Sequence, residues 1–247
     1  MSQLDLALEA EISQKHLSFV ESGRSTPSRD MVLTLAERLE VPLRERNLLL
    51  LSAGYAPLFP ERSLDDPAMA AARAAIDLVL KGHEPFPALA IDRHWTMVTA
   101  NAAVAPLLGG VADPALLQPP VNVLRLSLHP AGLAPSIVNF PDWRAHILAR
   151  LRRQVTTTGE PGLARLLREL EGYQAATEST APTDGEAIAL PLRLSTPRGI
   201  LSFITTTTVF GTPVDVTLSE LAIEAFFPAD EATGRALQAN AALQTKA

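Results

Sequence analysis

The chain has 247 residues, 47% of them apolar and 19% charged, with no cysteine; this is enough to build a core and excludes wholesale disorder, a disulfide scaffold, thiolate chemistry and any cysteine-held zinc. A net charge of −6 and a pI near 5.4 exclude a broadly basic nucleic-acid coat. At about 100–200 residues per domain the length implies one large domain or two small ones. Mean hydropathy is slightly positive at +0.14, yet no uncharged apolar run reaches the roughly 18 residues of a membrane helix. The apolar excess is therefore assigned to a core or to an internal cavity. Residues 1–13 (MSQLDLALEAEIS) are acidic with no basic stretch and do not read as a secretory signal, so a cytoplasmic location is expected.

Residues 2–58 read as short helices between tight turns. Ser2 caps a helix carrying Leu4, Leu6, Ala7 and Ala10; Ser13 caps a second with Leu17 and Val20 on one face, stopped at Gly23. Pro27-Ser28 opens a third with Met31, Val32, Leu35, Ala36 and Leu39. Pro42 starts a fourth that Gly54 and Pro57 end. Residues 58–66 form a boundary, and Asp66 caps a helix over 67–80 whose stripe is Ala68, Ala72, Ala75, Ile76 and Val79. The period then changes. Ala88–Ile91 and Trp95–Ala100 read as a hairpin turning at Asp92-Arg93-His94, and Asn101 as the cap of a helix through Leu108. A short helix over 122–128 follows. The next helix buries Trp143, Ile147, Leu148, Leu151 and Val155 and wets Arg144, Arg150, Arg152 and Arg153. Another buries Leu163, Leu166, Leu167 and Leu170. Residues 174–186 read as a polar loop. The β-branched runs Ile188–Leu194, Ile200–Val209 and Pro213–Ile223 read as three strands, and 229–247 as a frayed helix or loose tail.

Residues 2–28 have the layout of a helix-turn-helix, with polar residues in the first turn of the second helix. Gln14 and Lys15 are placed to reach base edges, Gln suiting adenine and Lys guanine; Ser13, His16, Ser18 and Phe19 are further candidate contacts. Gln3 and Arg24 are placed for phosphates. The pattern Ser2-Gln3, Ile12-Ser13, Leu17-Ser18, Val20-Glu21, Gly23-Arg24 and Pro27-Ser28 resembles the XRE-type helix-turn-helix regulators. That family has a helix before the position of Ser2, so residues 1–57 are expected to be an N-terminally incomplete DNA-binding domain with its first helix upstream. These residues hold six Lys and Arg against eight Asp and Glu, whereas 13–29 alone carries +2. Affinity for double-stranded DNA is thus expected to come from a local patch, doubled in a homodimer, and to fall steeply with salt.

Residues 85–228, after a linker and connecting helix at 58–84, carry a second pattern in PALAIDRHWTMVTANAAVAPLLG, NVLRLSLHPAGLAPSIVNFPDWR and SFITTTTVFGTPVDVTLSELAIEAFFPAD. These runs resemble the MmyB-like ligand-binding domain found behind XRE-type domains in bacterial regulators. The resemblance implies a PAS-like fold, an antiparallel sheet with helices over one face, and a fatty-acid-like ligand. The residues themselves give an α+β order of hairpin, helices and strands, in which a cleft can persist between layers. Candidate wall residues are Trp95, Val98, Leu124, Leu128, Phe140, Trp143, Phe203 and Phe210, each with plain core packing as the alternative. Arg125 or His129 is nearest in sequence to receive a carboxylate head, and Arg125 suits a surface ion pair equally.

The five histidines are scattered, and no His-Glu-x-x-His, Gly-x-Ser-x-Gly or Walker pattern occurs. No catalytic residue, metal or cofactor is therefore expected beyond a bound fatty acid or similar apolar ligand. The expected protein is a non-enzymatic one-component transcription regulator, partnered by double-stranded DNA and a small apolar effector, and off the membrane. The alternatives are a lipid carrier or enzyme using the same pocket, or a ligand-free dimerisation module.

Overall fold

The computed structural model describes residues 2–173 and 190–244, and its contacts divide them into two units. The first is Met1–Ala70 together with Phe210–Glu220; the second is Ala71–Val209 with Leu221–Ala247.

Four helices make up most of the first unit: α1 (Gln3–Glu9), α2 (Gln14–Glu21), α3 (Arg29–Arg38) and α4 (Leu43–Ser52). Serines start the first three as the sequence predicts. Ser2 accepts from the Asp5 N–H and Asp5 answers at the Ser2 N–H, a reciprocal capping box, while Ser13 and Ser28 cap α2 and α3. A tight turn at Glu11, with φ +56°, joins α1 to α2. Leu6, Ala7 and Leu17 are buried there with Ile12 and Leu35 against them. Asn47 Oδ1 accepts the N–H groups of Leu58 and Phe59, which folds the chain after Gly54 back onto α4.

The first unit also takes in a segment the sequence assigns to the other domain. Of the predicted strand Pro213–Ile223, residues 213–221 do not form a strand, and only Ala222 and Ile223 lie in one. Asp215 caps a one-turn helix, α9 (Val216–Ser219), by accepting from the Thr217 N–H, and the Val216 N–H goes to the Pro60 carbonyl. Arg44 bridges Glu61 and Glu220, and Arg62 pairs with Asp215 at 3.1 Å. An Asp ahead of β-branched residues is both a strand terminator and a helix cap, and the capping bond prevails.

The second unit is built on β1 (Ala88–Ile91), β2 (Met97–Ala100), β3 (Leu192–Thr196), β4 (Gly199–Val209) and β5 (Ala222–Pro228). They form one antiparallel sheet in the order β2-β1-β5-β4-β3. The third predicted strand is thus displaced to 222–228, where AIEAFFP alternates between the two faces. Helices α5 (Ala70–Gly82), α6 (Val123–Leu128), α7 (Phe140–Thr158) and α8 (Pro161–Glu171) contribute Ile76, Leu80, Leu124, Leu128, Ile147, Leu151 and Leu163 to the buried set. This is the α+β, PAS-like arrangement the sequence implies.

Of four further points, two differ from the sequence reading: the buried stripe of α5 and the role of Asn101. Helix α5 buries Ile76 and Leu80 and leaves Val79 46% exposed, so its stripe is rotated toward Leu80. The end of the chain carries α10 (Glu231–Gln244), whose buried Leu237 meets Leu201 and Phe203, and the Thr233 hydroxyl accepts the Ser202 N–H. Ile188 and the polar loop at 174–186 lie outside the described residues.

The fourth is Asn101, which caps no helix; the 3-10 turn Ala105–Gly110 begins after Val104. Asn101 is 8% exposed and ties three segments together. Its Oδ1 accepts the Ala88 N–H at 3.1 Å and its Nδ2 donates to the carbonyls of Leu80 and Phe86. Asn101→Ala removes the partner of the buried Ala88 N–H and of the Phe86 carbonyl, while the Leu80 carbonyl keeps the His83 N–H, so unfolding of this unit is expected to be easier by about 2–3 kcal/mol. Trp95 and Trp143 fluorescence in urea reads this directly; a shift below about 0.5 kcal/mol contradicts the tie.

Candidate functional site

Between the sheet and the helices over it lies a cavity of about 120 Å³, roughly ten times the space one water centre needs. The sheet contributes Leu89 from β1, Met97 from β2, Leu192 and Leu194 from β3, and Phe226 from β5. The helical side contributes Leu107, Leu124, Trp143 and Ile147. Alternation explains which strand residues arrive: Leu192 and Leu194 line the cavity, and Arg193 between them does not. On α7, Trp143, Ile147 and Arg150 are spaced i, i+4, i+7 and share one stripe.

That stripe makes one wall polar. Arg150 donates from Nη2 to Glu224 Oε1 at 2.8 Å and to Thr207 Oγ1 at 3.0 Å. Thr207 and Glu224 are directly opposed in the β4–β5 ladder, and Thr207 donates to the same Oε1 at 2.9 Å. The Arg150 guanidinium lies 4.5 Å from the centroid of the Trp95 ring, a cation–π contact. Trp95 itself has φ +66° and is fixed by its Nε1–H donating to Gln154 Oε1 at 2.8 Å. A non-glycine residue held in the left-handed region at a cavity wall is strain of the kind that binding sites retain. His146 also lines the cavity; partial burial, then Arg150 and Arg153, hold its pKa below the usual histidine value.

Of the wall residues predicted from sequence, the structure brings Trp95, Leu124 and Trp143 to the cavity. It places the others elsewhere. Val98 is 40% exposed, because β2 turns Met97 inward and its neighbour outward. Leu128 is fully buried and Phe140 nearly so; both are solid core. Phe203 packs with Leu201 and Leu237, and Phe210 belongs to the first unit. Neither predicted head-group cation lines the cavity. Arg125 makes a two-pronged pair with Glu169 at 2.7 and 2.8 Å, and that pairing raises its pKa while lowering that of Glu169. Tyr173 donates to Glu169 as well, and burial together with that carboxylate pushes its phenol up. His129 Nδ1 accepts the Ala131 N–H, with its ring edge-on to Tyr173.

The cation at the cavity is instead Arg150, which the sequence reading put on the wet face of α7. Two signals could have found it. Position 150 repeats Trp143 after seven residues, and Glu224 is a lone carboxylate in an apolar strand. A buried charge of that kind requires a partner. Among the described residues no cluster of three or more His, Asp or Glu is arranged to hold a metal. No described helix is long and apolar enough to cross a membrane.

In the first unit, α2 exposes Gln14, Lys15 and Ser18, with Leu17 buried behind them. Ser13 Oγ accepts the His16 N–H at 3.1 Å as the N-cap. His16 and Phe19 are half-buried, and the Lys15 ammonium sits 5.6 Å from the Phe19 ring centroid. Gln3 clasps the two helices, donating to Glu21 at 2.7 Å and accepting from Gln14 at 3.3 Å. Gly23, with φ +70°, ends α2, and the Arg24 N–H returns to the Phe19 carbonyl, leaving the Arg24 side chain exposed.

The helix-turn-helix unit and the sheet-and-helix unit with its apolar cavity are each matched by a family model. The family model described as MmyB-like transcription regulator ligand binding domain matches residues 72–239, and a helix-turn-helix model matches residues 1–46. The chain belongs to the MmyB-like transcription regulator family. No curated protein matches it. A solved RNA-binding Light-Oxygen-Voltage receptor aligns with 14% identity over 98% of this chain and 57% of that one, at a TM-score of 0.26. The chain thus spans little more than half of that receptor's length.

Proposed function

We propose that the first unit binds operator DNA through α2 and that the cavity of the second takes a small effector of the fatty-acyl class. A cytoplasmic homodimer is the working assembly, since a second copy doubles a basic patch that one copy supplies only over residues 13–29. The observation that carries the effector reading is the cavity itself, apolar on both layers with one polar wall. Each methylene buried there contributes about 0.8 kcal/mol. Binding rather than turnover is favoured because the charged groups on that wall, Arg150 and Glu224, are engaged with each other.

Communication between the two sites is assigned to residues 210–220. They lie between β4 and β5, the strands bearing Thr207 and Glu224, yet they belong to the first unit. An effector that binds two arrangements of this connection unequally shifts operator affinity.

Native mass spectrometry of the purified chain tests the effector half. The expected result is a lipid-sized adduct that denaturation releases, and a melting temperature raised by saturating dodecanol. Neither an adduct nor a dodecanol-induced rise leaves the cavity without a ligand, and the reading falls.

A further inference from the structure

We infer that the effector's head is an uncharged group that both donates and accepts hydrogen bonds, such as a hydroxyl or an amide, and not a free carboxylate. This rests on the effector reading above and narrows it to a chemical class.

The argument begins with charge. Two ionised side chains line the cavity, Arg150 and Glu224, and they are paired at 2.8 Å. The wall is therefore neutral before any ligand arrives. A carboxylate brought to Arg150 meets the Glu224 charge beside it and loses its hydration without a surplus cation to replace it. An ammonium meets the opposite problem at Arg150.

Hydrogen-bond capacity points the same way. The Glu224 side chain is only 9% exposed, and both of its bonds, from Arg150 and Thr207, converge on Oε1. Among the described residues Oε2 has no partner. That oxygen is left to accept a donor from a ligand. Arg150 in turn spends only Nη2 on Glu224 and Thr207, so Nε and Nη1 are left to donate to an acceptor on a ligand. A hydroxyl or primary amide supplies a donor for Glu224 and an acceptor for Arg150 at one position. A carboxylate is acceptor-only and satisfies just one of the two.

The test compares dodecanol, dodecanamide, dodecanoate and dodecylamine on the full chain at pH 8, by calorimetry below their aggregation concentrations. Dodecanol and dodecanamide are expected to bind at least about tenfold more tightly than dodecanoate or dodecylamine. Glu224→Gln removes the repelling charge and keeps the shape, so the preference for dodecanol over dodecanoate is expected to narrow at least about tenfold there. Dodecanoate matching or exceeding dodecanamide on the unsubstituted chain overturns the head-group inference and leaves the acyl cavity standing. Binding by none of the four overturns the effector reading, and this inference with it. The comparison on the unsubstituted chain decides the matter even where Glu224→Gln fails to fold.

Discussion

Replacing Gln14 and Lys15 together by alanine is expected to weaken operator binding by at least about 100-fold, while dodecanol affinity and the melting transition of the second unit stay unchanged. Both residues stand in the first turn of α2 and are exposed, behind a cap supplied by Ser13 and over a buried Leu17. Residues at that end of a recognition helix reach base edges, and each good base pairing is worth about 1–3 kcal/mol. The bond from Gln14 to Gln3 is long, 3.3 Å, and exposed, so a base edge can replace it at little cost. Lys15 is one of three cations in 13–29, set against the single carboxylate of Glu21. Its loss is expected to reduce the salt slope of binding by about one. Fluorescence anisotropy with a labelled operator at several salt concentrations reads both effects. A loss below about threefold would place the base contacts elsewhere.

The parts of the architecture that were legible in the sequence are those fixed locally. Ser2, Ser13 and Ser28 sit three residues before the N–H groups they cap, and such bonds need no distant partner. The Ala88–Ala100 hairpin likewise closes on its own turn. The cavity was legible only in outline. Trp95, Leu124 and Trp143 are the three of the eight candidate wall residues that line it. Phe203 and Phe140 were misassigned because an aromatic in a core and one on a cavity wall have the same periodicity; only the neighbours across the sheet distinguish them. Arg125 and His129 are the candidates by closeness in sequence to an apolar stretch, and Arg125 is taken up by an ion pair instead. Its partner Glu169 is 44 residues away, and Glu224 is 74 residues from Arg150. Ion pairs of that separation are set by topology. The same holds for 210–220, where β-branched content suggested a strand and the Asp215 cap with the Pro60 carbonyl made a one-turn helix in the other unit.

Arg44→Met is expected to abolish the response of operator binding to effector while leaving each binding event intact. The chain leaves the second unit after Val209, runs through 210–220 in the first, and returns at Leu221. Three residues beyond that return is Glu224, and three before the departure is Thr206, next to Thr207. A change at the Arg150–Glu224–Thr207 junction is therefore delivered along two short stretches of backbone to a segment held in the first unit. Arg44 holds it from α4, with Nε and Nη2 both donating to Glu220 and further bonds to Glu61. Hydrogen bonds donated to Glu220 and then Glu61 raise the Arg44 pKa above the usual guanidinium range, so the charge persists at every working pH. Methionine keeps the stem and removes the donors, so 210–220 follows β4 and β5 without transmitting to α4. Allosteric couplings of this kind amount to about 5–150-fold in affinity. In Arg44→Met the ratio of operator affinities with and without dodecanol is expected to fall within about twofold of one. Arg62→Met, which removes the bond to Asp215, is expected to lower the ratio less, since it cuts one donor and Arg44→Met cuts several. Paired anisotropy titrations with and without dodecanol read the ratio, and an unchanged ratio in both variants would exclude 210–220 as the connection between the two sites.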